Sequence, residues 1–155
     1  MDWREQMKVA VFDLDGTVID SSHRHASLPD GSIDLAHWRE NSTPEKIAQD
    51  TLLPLVQKMR DYAKSRYVVI CTARVLSRAD YAFFYKNNIP FDFVLSRPKG
   101  CDTPDGELKV KQLSALMSRL GLPLSRVTMW DDNDKVIAAM GAIGVRCIDA
   151  KALRK

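Results

Sequence analysis

Carboxylates gather in this sequence where apolar runs stop. Asp13 and Asp15 follow the run at 8–12 (KVAVF), and Asp131 and Asp132 follow 127–130 (VTMW). Thr72 and Arg74 come directly after Tyr67–Cys71 (YVVIC), while Arg97, Asp105 and Lys109 come after 91–95 (FDFVL). Asp13 and Asp15 are two residues apart in an extended exit, so their side chains project to one side. Carboxylates that close repel, and they need a cation or a shared proton. Hard oxygen ligands, few in number, suit Mg²⁺ with several retained waters. Lys109 and Arg74 supply the opposite charge. Carboxylates, a divalent cation, a lysine and a hydroxyl are the parts that phosphoryl transfer uses. Metal and lysine offset charge on the transferring oxygens while a carboxylate attacks in line.

The elements that must position these groups alternate between strand and helix. The runs at 8–12, Tyr67–Cys71, 91–95, 127–130 and 145–148 read as buried strands. Helices are expected at about 76–88, 106–120 and 133–140, with Gly121 ending the second. Thr43-Pro44-Glu45 has the form of a helix start, and Leu52, Leu55, Val56 and Met59 continue at helical spacing. Pro54 interrupts them and either kinks that helix or splits it in two. Residues 21–42 are polar, hold all three histidines, and read as an irregular loop insertion with one short helical turn. The Lys/Arg-containing tail reads as frayed. Alternation of this kind predicts a Rossmann-like three-layer α/β/α sandwich around a five-stranded parallel sheet, one domain over 1–155. Ligands in such sheets bind at the carboxyl ends of the strands, where the charged groups cluster.

Bulk composition agrees with an ordinary globular chain: 155 residues, 45% hydrophobic and 28% charged. A net charge of +3 permits a polyanionic partner without demanding one. Cys71, Cys101 and Cys147 show no CxxC spacing, which argues against zinc, and Cys71 and Cys147 sit in apolar runs as small core residues. Sparse unpaired cysteines and a polar start suit the cytoplasm, without a signal peptide. No apolar run approaches the ~20 residues that span a bilayer.

Asp13-Leu14-Asp15-Gly16-Thr17 resembles the DxDGT signature of haloacid dehalogenase superfamily phosphatases. Thr72, Lys109 and Asp131-Asp132 resemble that superfamily's second, third and fourth motifs, in order. The resemblance implies a mechanism. Asp13 attacks phosphorus and ligates Mg²⁺. Asp15 protonates the leaving oxygen, then activates water, and its backbone carbonyl ligates the metal. Thr72 hydrogen-bonds the phosphoryl group, Lys109 bridges phosphate and nucleophile, and Asp131 and Asp132 complete the metal site. An acid role for Asp15 calls for a raised pKa. Lys111 is the alternative to Lys109, on a different face of the same helix.

Arg74, Arg97 and Asp105, set around Thr72 and Lys109, resemble the phosphatase domain of bacteriophage polynucleotide kinase-phosphatases. That resemblance implies a substrate that is a 3′-phosphorylated nucleic acid end or a nucleotide. No GxxxxGK[ST] loop is present, so no kinase half is implied. Arg24 is a further candidate substrate contact. Little chain is left for a lid, so a minimal cap or none is expected, and an open site suits a bulky substrate.

Blander readings exist for each group. Asp131-Asp132 alone reads as a helix N-cap, and Thr72 alone as a cap or turn residue. Arg74, Arg97 and Asp105 read equally as structural ion pairs or loop residues. His23, His25 and His37 read as exposed loop residues, and Trp3 and Trp38 as packing residues. Trp130 reads as core. The rival functions are a phosphatase of 5′-nucleotides or other small phosphomonoesters, a receiver domain, and a non-catalytic module that grips nucleic acid ends. A receiver carries its acidic pair on the first strand, and here that place holds DxDGT. Intact Asp13 and Asp15 argue against a dead module.

Overall fold

The computed structural model describes residues 6–32 and 34–154. Trp3 lies outside the described residues. Five strands form one parallel sheet: β1 (Val9–Phe12), β4 (Tyr67–Cys71), β5 (Phe93–Leu95), β6 (Val127–Asp131) and β7 (Arg146–Asp149), in the order β5-β4-β1-β6-β7. Their alternation explains the three layers. Ala10, Phe12, Val68, Ile70 and Trp130 pack in one apolar cluster, and Val9, Val11, Val69, Cys71, Val127 and Met129 in another. Successive side chains point to opposite faces, so a strand buried on both sides reads as a continuous apolar run. Helices α3 (Leu55–Tyr62) and α4 (Arg78–Lys86) supply Leu55, Val56, Met59, Phe83 and Phe84 to the first face. Helices α5 (Asp105–Leu120) and α6 (Asp134–Ala142) supply Leu113, Leu116, Met117, Val136 and Met140 to the second. Phe12 and Trp130 stack with ring centroids 4.7 Å apart. Burying a side chain of this size contributes about 1.5–3 kcal/mol.

β1 is central. Phe12 stands level with Ile70 and with Trp130, and the ladder continues as the Asp13 amide donates to the Trp130 carbonyl at 3.0 Å. Asp13 and Asp131 therefore leave the sheet at the same height. Helix ends match their signals. Thr43 accepts from the Lys46 amide with Pro44 in the first turn of α2 (Pro44–Ile47). Ser77 and Asp80 form a capping box on α4, and Gly121 (φ 69°) closes α5 in the left-handed conformation.

Three regions differ from the sequence expectation. Pro54 splits the helix, one of the two outcomes expected of it, but Leu52 belongs to no helix and instead to a short strand, β3 (Thr51–Leu52), antiparallel to β2 (Ile19–Asp20). Proline lacks the amide a helix would use and pushes the preceding residue to an extended conformation. Residues 21–42 are more ordered than a loop with one turn: a 3₁₀ turn (Ser22–Arg24) is followed by α1 (Leu35–Asn41), capped by Asp34. The tail is not frayed, because Ala150–Leu153 forms a 3₁₀ turn with Ala150 buried. No described helix is long and apolar enough to cross a membrane.

Candidate active site

The carboxyl edge of the sheet opens into a cleft of about 1070 Å³. Asp13, Asp15, Thr72, Arg74, Arg97, Asp105, Lys109, Asp131 and Asp132 all line it. Of the substrate and catalytic candidates, only Arg24 does not.

One half of the cleft is built on Asp13. Thr17 Oγ1 donates to Asp13 Oδ2 at 3.0 Å, and Lys109 Nζ donates to Asp13 Oδ1 at 3.0 Å and to Asp131 Oδ2 at 2.7 Å. Lys109 is only 2% exposed, one turn into α5 beside the core residue Leu108. Burial works against its charge, but the Asp13 and Asp131 carboxylates hold its pKa well above the usual lysine value. Lys111 is exposed, which leaves Lys109 as the lysine in the site. Thr72 is buried at the end of β4, and its hydroxyl oxygen accepts from the Arg74 amide.

Asp13, Asp131 and Asp132 present oxygens that all lie within 4.8 Å of one another. Burial, then the Asp13 charge, pushes the Asp131 carboxyl up to about 6. The same causes, with a hydrogen bond to Asp13 and the Asp131 charge added, push Asp132 up to about 8. Lys109 pairs with Asp13 and Asp131, and the Arg154 guanidinium at the rim donates to Asp132 Oδ2 at 2.6 Å and to the Gly16 carbonyl at 2.8 Å, so three carboxylates face two cations. A buried excess of negative charge presented by a few hard oxygens fits Mg²⁺. Gly16 (φ 80°) is needed at this point, because a Cβ there would collide with the Asp132 carboxylate. No histidine joins this group among the described residues, and His23 and His25 are exposed as expected while His37 is half-buried.

The other half is built on Asp15. Arg74 Nε donates to Asp15 Oδ2 at 2.7 Å, Arg74 Nη2 to Asp15 Oδ1 at 3.3 Å, and Ser21 Oγ to Asp15 Oδ1 at 2.7 Å. Arg74 Nη1 donates to Asp80 Oδ1 at 2.6 Å, and its guanidinium lies 5.1 Å from the Trp38 ring centre. Burial favours the neutral acid at Asp15, but Arg74 and Ser21 outweigh it and hold the pKa below the usual value. The expectation of a raised pKa at Asp15 is therefore corrected for the free protein. The two opening aspartates resolve their repulsion by facing different cations, Asp13 the Lys109 ammonium and Asp15 the Arg74 guanidinium.

Arg97 acts on the chain around it. Its guanidinium donates to the carbonyls of Ala73 (2.6 Å), Cys101 (3.0 Å) and Thr103 (2.7 Å) and to Asp105 Oδ1 (2.8 Å), folding residues 97–105 about itself. Arg24 is buried away from the cleft, donating to both Asp50 oxygens at 3.0 and 2.6 Å and to Ser42, 4.8 Å from the Trp38 ring centre. Its place as a substrate contact is corrected to that of a strut under the 21–50 insertion. Burial pushes the Cys71 and Cys147 thiols up to about 12, which keeps both inert.

Sequence reasoning missed Ser21, Asp50, Asp80 and Arg154. Ser77-x-x-Asp80 carries a readable capping signal, although that signal says nothing of the Arg74 contact. The other three have no local signature. The insertion also forms a wall of the cleft with Leu28, Leu35 and Trp38, and Leu28 is 45% exposed. It is thus a small cap.

The family described as bacteriophage T5 5′-deoxynucleotidase matches residues 1–155. The 5′-deoxynucleotidase of Escherichia phage T5 is 32% identical over 173 aligned positions, covering 94% of this chain and 68% of that protein. Among solved structures, a haloacid dehalogenase-like hydrolase from Streptococcus pneumoniae superposes with TM-score 0.67 at 13% identity, over 94% of this chain and 85% of its own. A chain of the Pnkp1/Rnl/Hen1 RNA repair complex gives TM-score 0.60 at 19% identity, over 96% of this chain and 44% of its own. The fold is that of the haloacid dehalogenase hydrolases.

Proposed function

The chain belongs to the bacteriophage T5 5′-deoxynucleotidase family and is a phosphatase of the nucleotidase kind, and from that premise we propose that it removes the 5′-phosphate of deoxynucleoside monophosphates through a phosphoryl-aspartate on Asp13. The observation that carries this reading is that one cleft joins the Asp13 carboxylate to the apolar wall of Leu28, Leu35 and Trp38. The floor suits a phosphate, and the wall suits a sugar and base.

In this reading an Asp13 oxygen attacks phosphorus, and Thr17 and Lys109 orient that carboxylate. The Thr72 hydroxyl and the Lys109 ammonium stabilise the phosphoryl oxygens as charge develops. Asp15 gives a proton to the departing 5′-oxygen. It is ionised in the free enzyme, and the arriving phosphate brings negative charge beside it, which raises its pKa so that it first takes up a proton from the monoanionic phosphomonoester or from solvent. Asp15 then takes a proton from the water that opens the phosphoryl-aspartate. Asp13, Asp131 and Asp132, with the Asp15 carbonyl, would hold Mg²⁺, which supplies Lewis-acid stabilisation of the transferring oxygens. Three free thiols fit a cytoplasmic setting for this chemistry.

A second reading, hydrolysis of 3′-phosphates at polynucleotide ends, draws on Arg74, Arg97 and Asp105 at the same cleft. Against it, Arg74 and Arg97 are already committed to protein acceptors. A panel of 5′- and 3′-deoxynucleoside monophosphates and a 3′-phosphorylated oligonucleotide, assayed with Mg²⁺ for phosphate release, separates the two. Turnover of the 5′-monophosphates is expected. Turnover confined to 3′-phosphorylated ends would replace the first reading with the second.

A further inference from the structure

The opposite edge of the sheet has the opposite charge. Lys8 precedes β1, Arg66 precedes β4, Arg126 precedes β6 and Arg146 opens β7. With Lys58 of α3 these residues line a cavity of about 370 Å³ against β6 and β7. No carboxylate among the described residues lines it. Among the described residues, Lys8, Lys58, Arg66 and Arg146 have no ion-pair partner. Five cations thus share one concave space in a chain whose net charge is only +3.

Like charges so confined repel, and a low-dielectric wall focuses their field on an anion. The wall here is aromatic. Arg66 lies 4.1 Å from the Tyr62 ring centre and Lys58 lies 5.6 Å from that of Trp130. A second, independent feature also points to a ligand. Trp130 lines the cavity, and its buried indole N–H has no hydrogen-bond partner among the described residues. Buried donors in native structures are nearly always paired, and an oxyanion provides the acceptor this one lacks.

We propose that this cavity is a second binding site, separate from the catalytic cleft, for the polyphosphate group of a nucleoside triphosphate. A triphosphate carries enough charge to answer several cations at once, and the flanking Arg66 and Lys58 already cover the aromatic faces, so recognition falls on the phosphates rather than the base. The site does not depend on which phosphomonoester the cleft hydrolyses.

The test is titration of the full chain, in chelator, with inorganic tripolyphosphate, a deoxynucleoside triphosphate and a short single-stranded oligonucleotide. Binding is read by calorimetry and by the ¹⁵N–¹H resonance of the Trp130 indole. Without metal, the acidic cleft repels these anions, so binding reports the basic cavity. Both triphosphates are expected to bind and to shift the Trp130 resonance. The exposed-residue variant Lys58→Ala/Arg146→Ala is expected to weaken that binding about tenfold or more. Its hydrolysis of p-nitrophenyl phosphate with Mg²⁺ should be unchanged. Lys86→Ala/Lys111→Ala, which removes two exposed charges elsewhere, should bind as the wild type does. The proposal is overturned if neither triphosphate binds, if both double variants lose affinity equally, or if the indole resonance stays fixed. It is also overturned if only the oligonucleotide binds, which would make the cavity part of a nucleic-acid track.

Discussion

The two halves of the cleft use the same side chain in opposite electrical conditions. Around Asp13, Lys109 is shared by Asp13 and Asp131 while Arg154 at the rim holds Asp132, and burial with mutual repulsion pushes Asp131 to about 6 and Asp132 to about 8. Around Asp15, an arginine and a serine hydroxyl saturate one carboxylate and lower its pKa. Two residues of chain separate these conditions. The first half is short of positive charge and suited to taking up a metal ion. The second grips its carboxylate through Arg74, which Asp80 holds from behind, and is suited to holding a proton acceptor in one orientation. The difference teaches that, where every carboxylate is buried or partly buried, a guanidinium bonded to both oxygens of one of them decides whether its pKa falls or rises.

The largest effect should come from Asp13→Asn. Loss of the attacking oxygen is expected to cut phosphate release by ~10³-fold or more while the thermal midpoint holds or rises, because a repelling charge is removed. Near wild-type release would dissolve the contrast, since the electron-rich half would then hold no nucleophile. Chelation comes next. EDTA should reduce turnover by about two orders of magnitude, with Mg²⁺ restoring it; full activity in chelator would show that the charge deficit is not filled by metal.

The same contrast predicts a pH signature. Asp131 and Asp132 have folded-state pKa values above those of the unfolded chain, so the folded protein binds extra protons between about pH 4 and about pH 8. Metal-free stability therefore falls as pH rises through that window. Asp15 behaves oppositely: its contribution is present above the ordinary carboxylate pKa and is lost on acidification below it. Mg²⁺ should raise the thermal midpoint more at about pH 8.5 than at about pH 5.5. An equal rise at both values would place the ion away from these two groups.

Asp80→Asn probes the Asp15 half without touching substrate. With Arg74 less firmly held, hydrolysis of a nucleotide, whose alkoxide needs a proton, should drop roughly tenfold, and that of p-nitrophenyl phosphate much less. Equal losses would mean that Arg74 does not serve Asp15. The smallest effect is expected from Arg154→Ala. It removes a half-exposed cation from Asp132, and Mg²⁺ affinity, measured by calorimetry, should rise about threefold.

What could be read in the sequence follows from what leaves a local trace. β1, β4 and β6 are apolar runs ended by a charged or hydroxyl residue, so both the strands and the positions of Asp13, Thr72 and Asp131 are legible. Lys109 needed the motif order to be told from Lys111. The Arg74–Asp15 contact spans 59 positions and Arg24–Asp50 spans 26, and neither residue type nor spacing announces such pairs. The insertion reads as irregular because polar struts, with Trp38 beneath two guanidinium groups, order it in place of apolar periodicity. β2 and β3 have two residues each, too few for any alternation to register.

The short β2–β3 ladder has an evolutionary consequence. It is the neck through which everything between Ser21 and Asp50 joins the body, while Asp13 sits on the middle strand, braced from both sides. Substitutions, lengthenings or wholesale exchange of the segment above that neck can change which molecule fits while the reacting centre stays where it is. Selection for a new substrate would then accumulate changes above the neck long before it altered the motifs below.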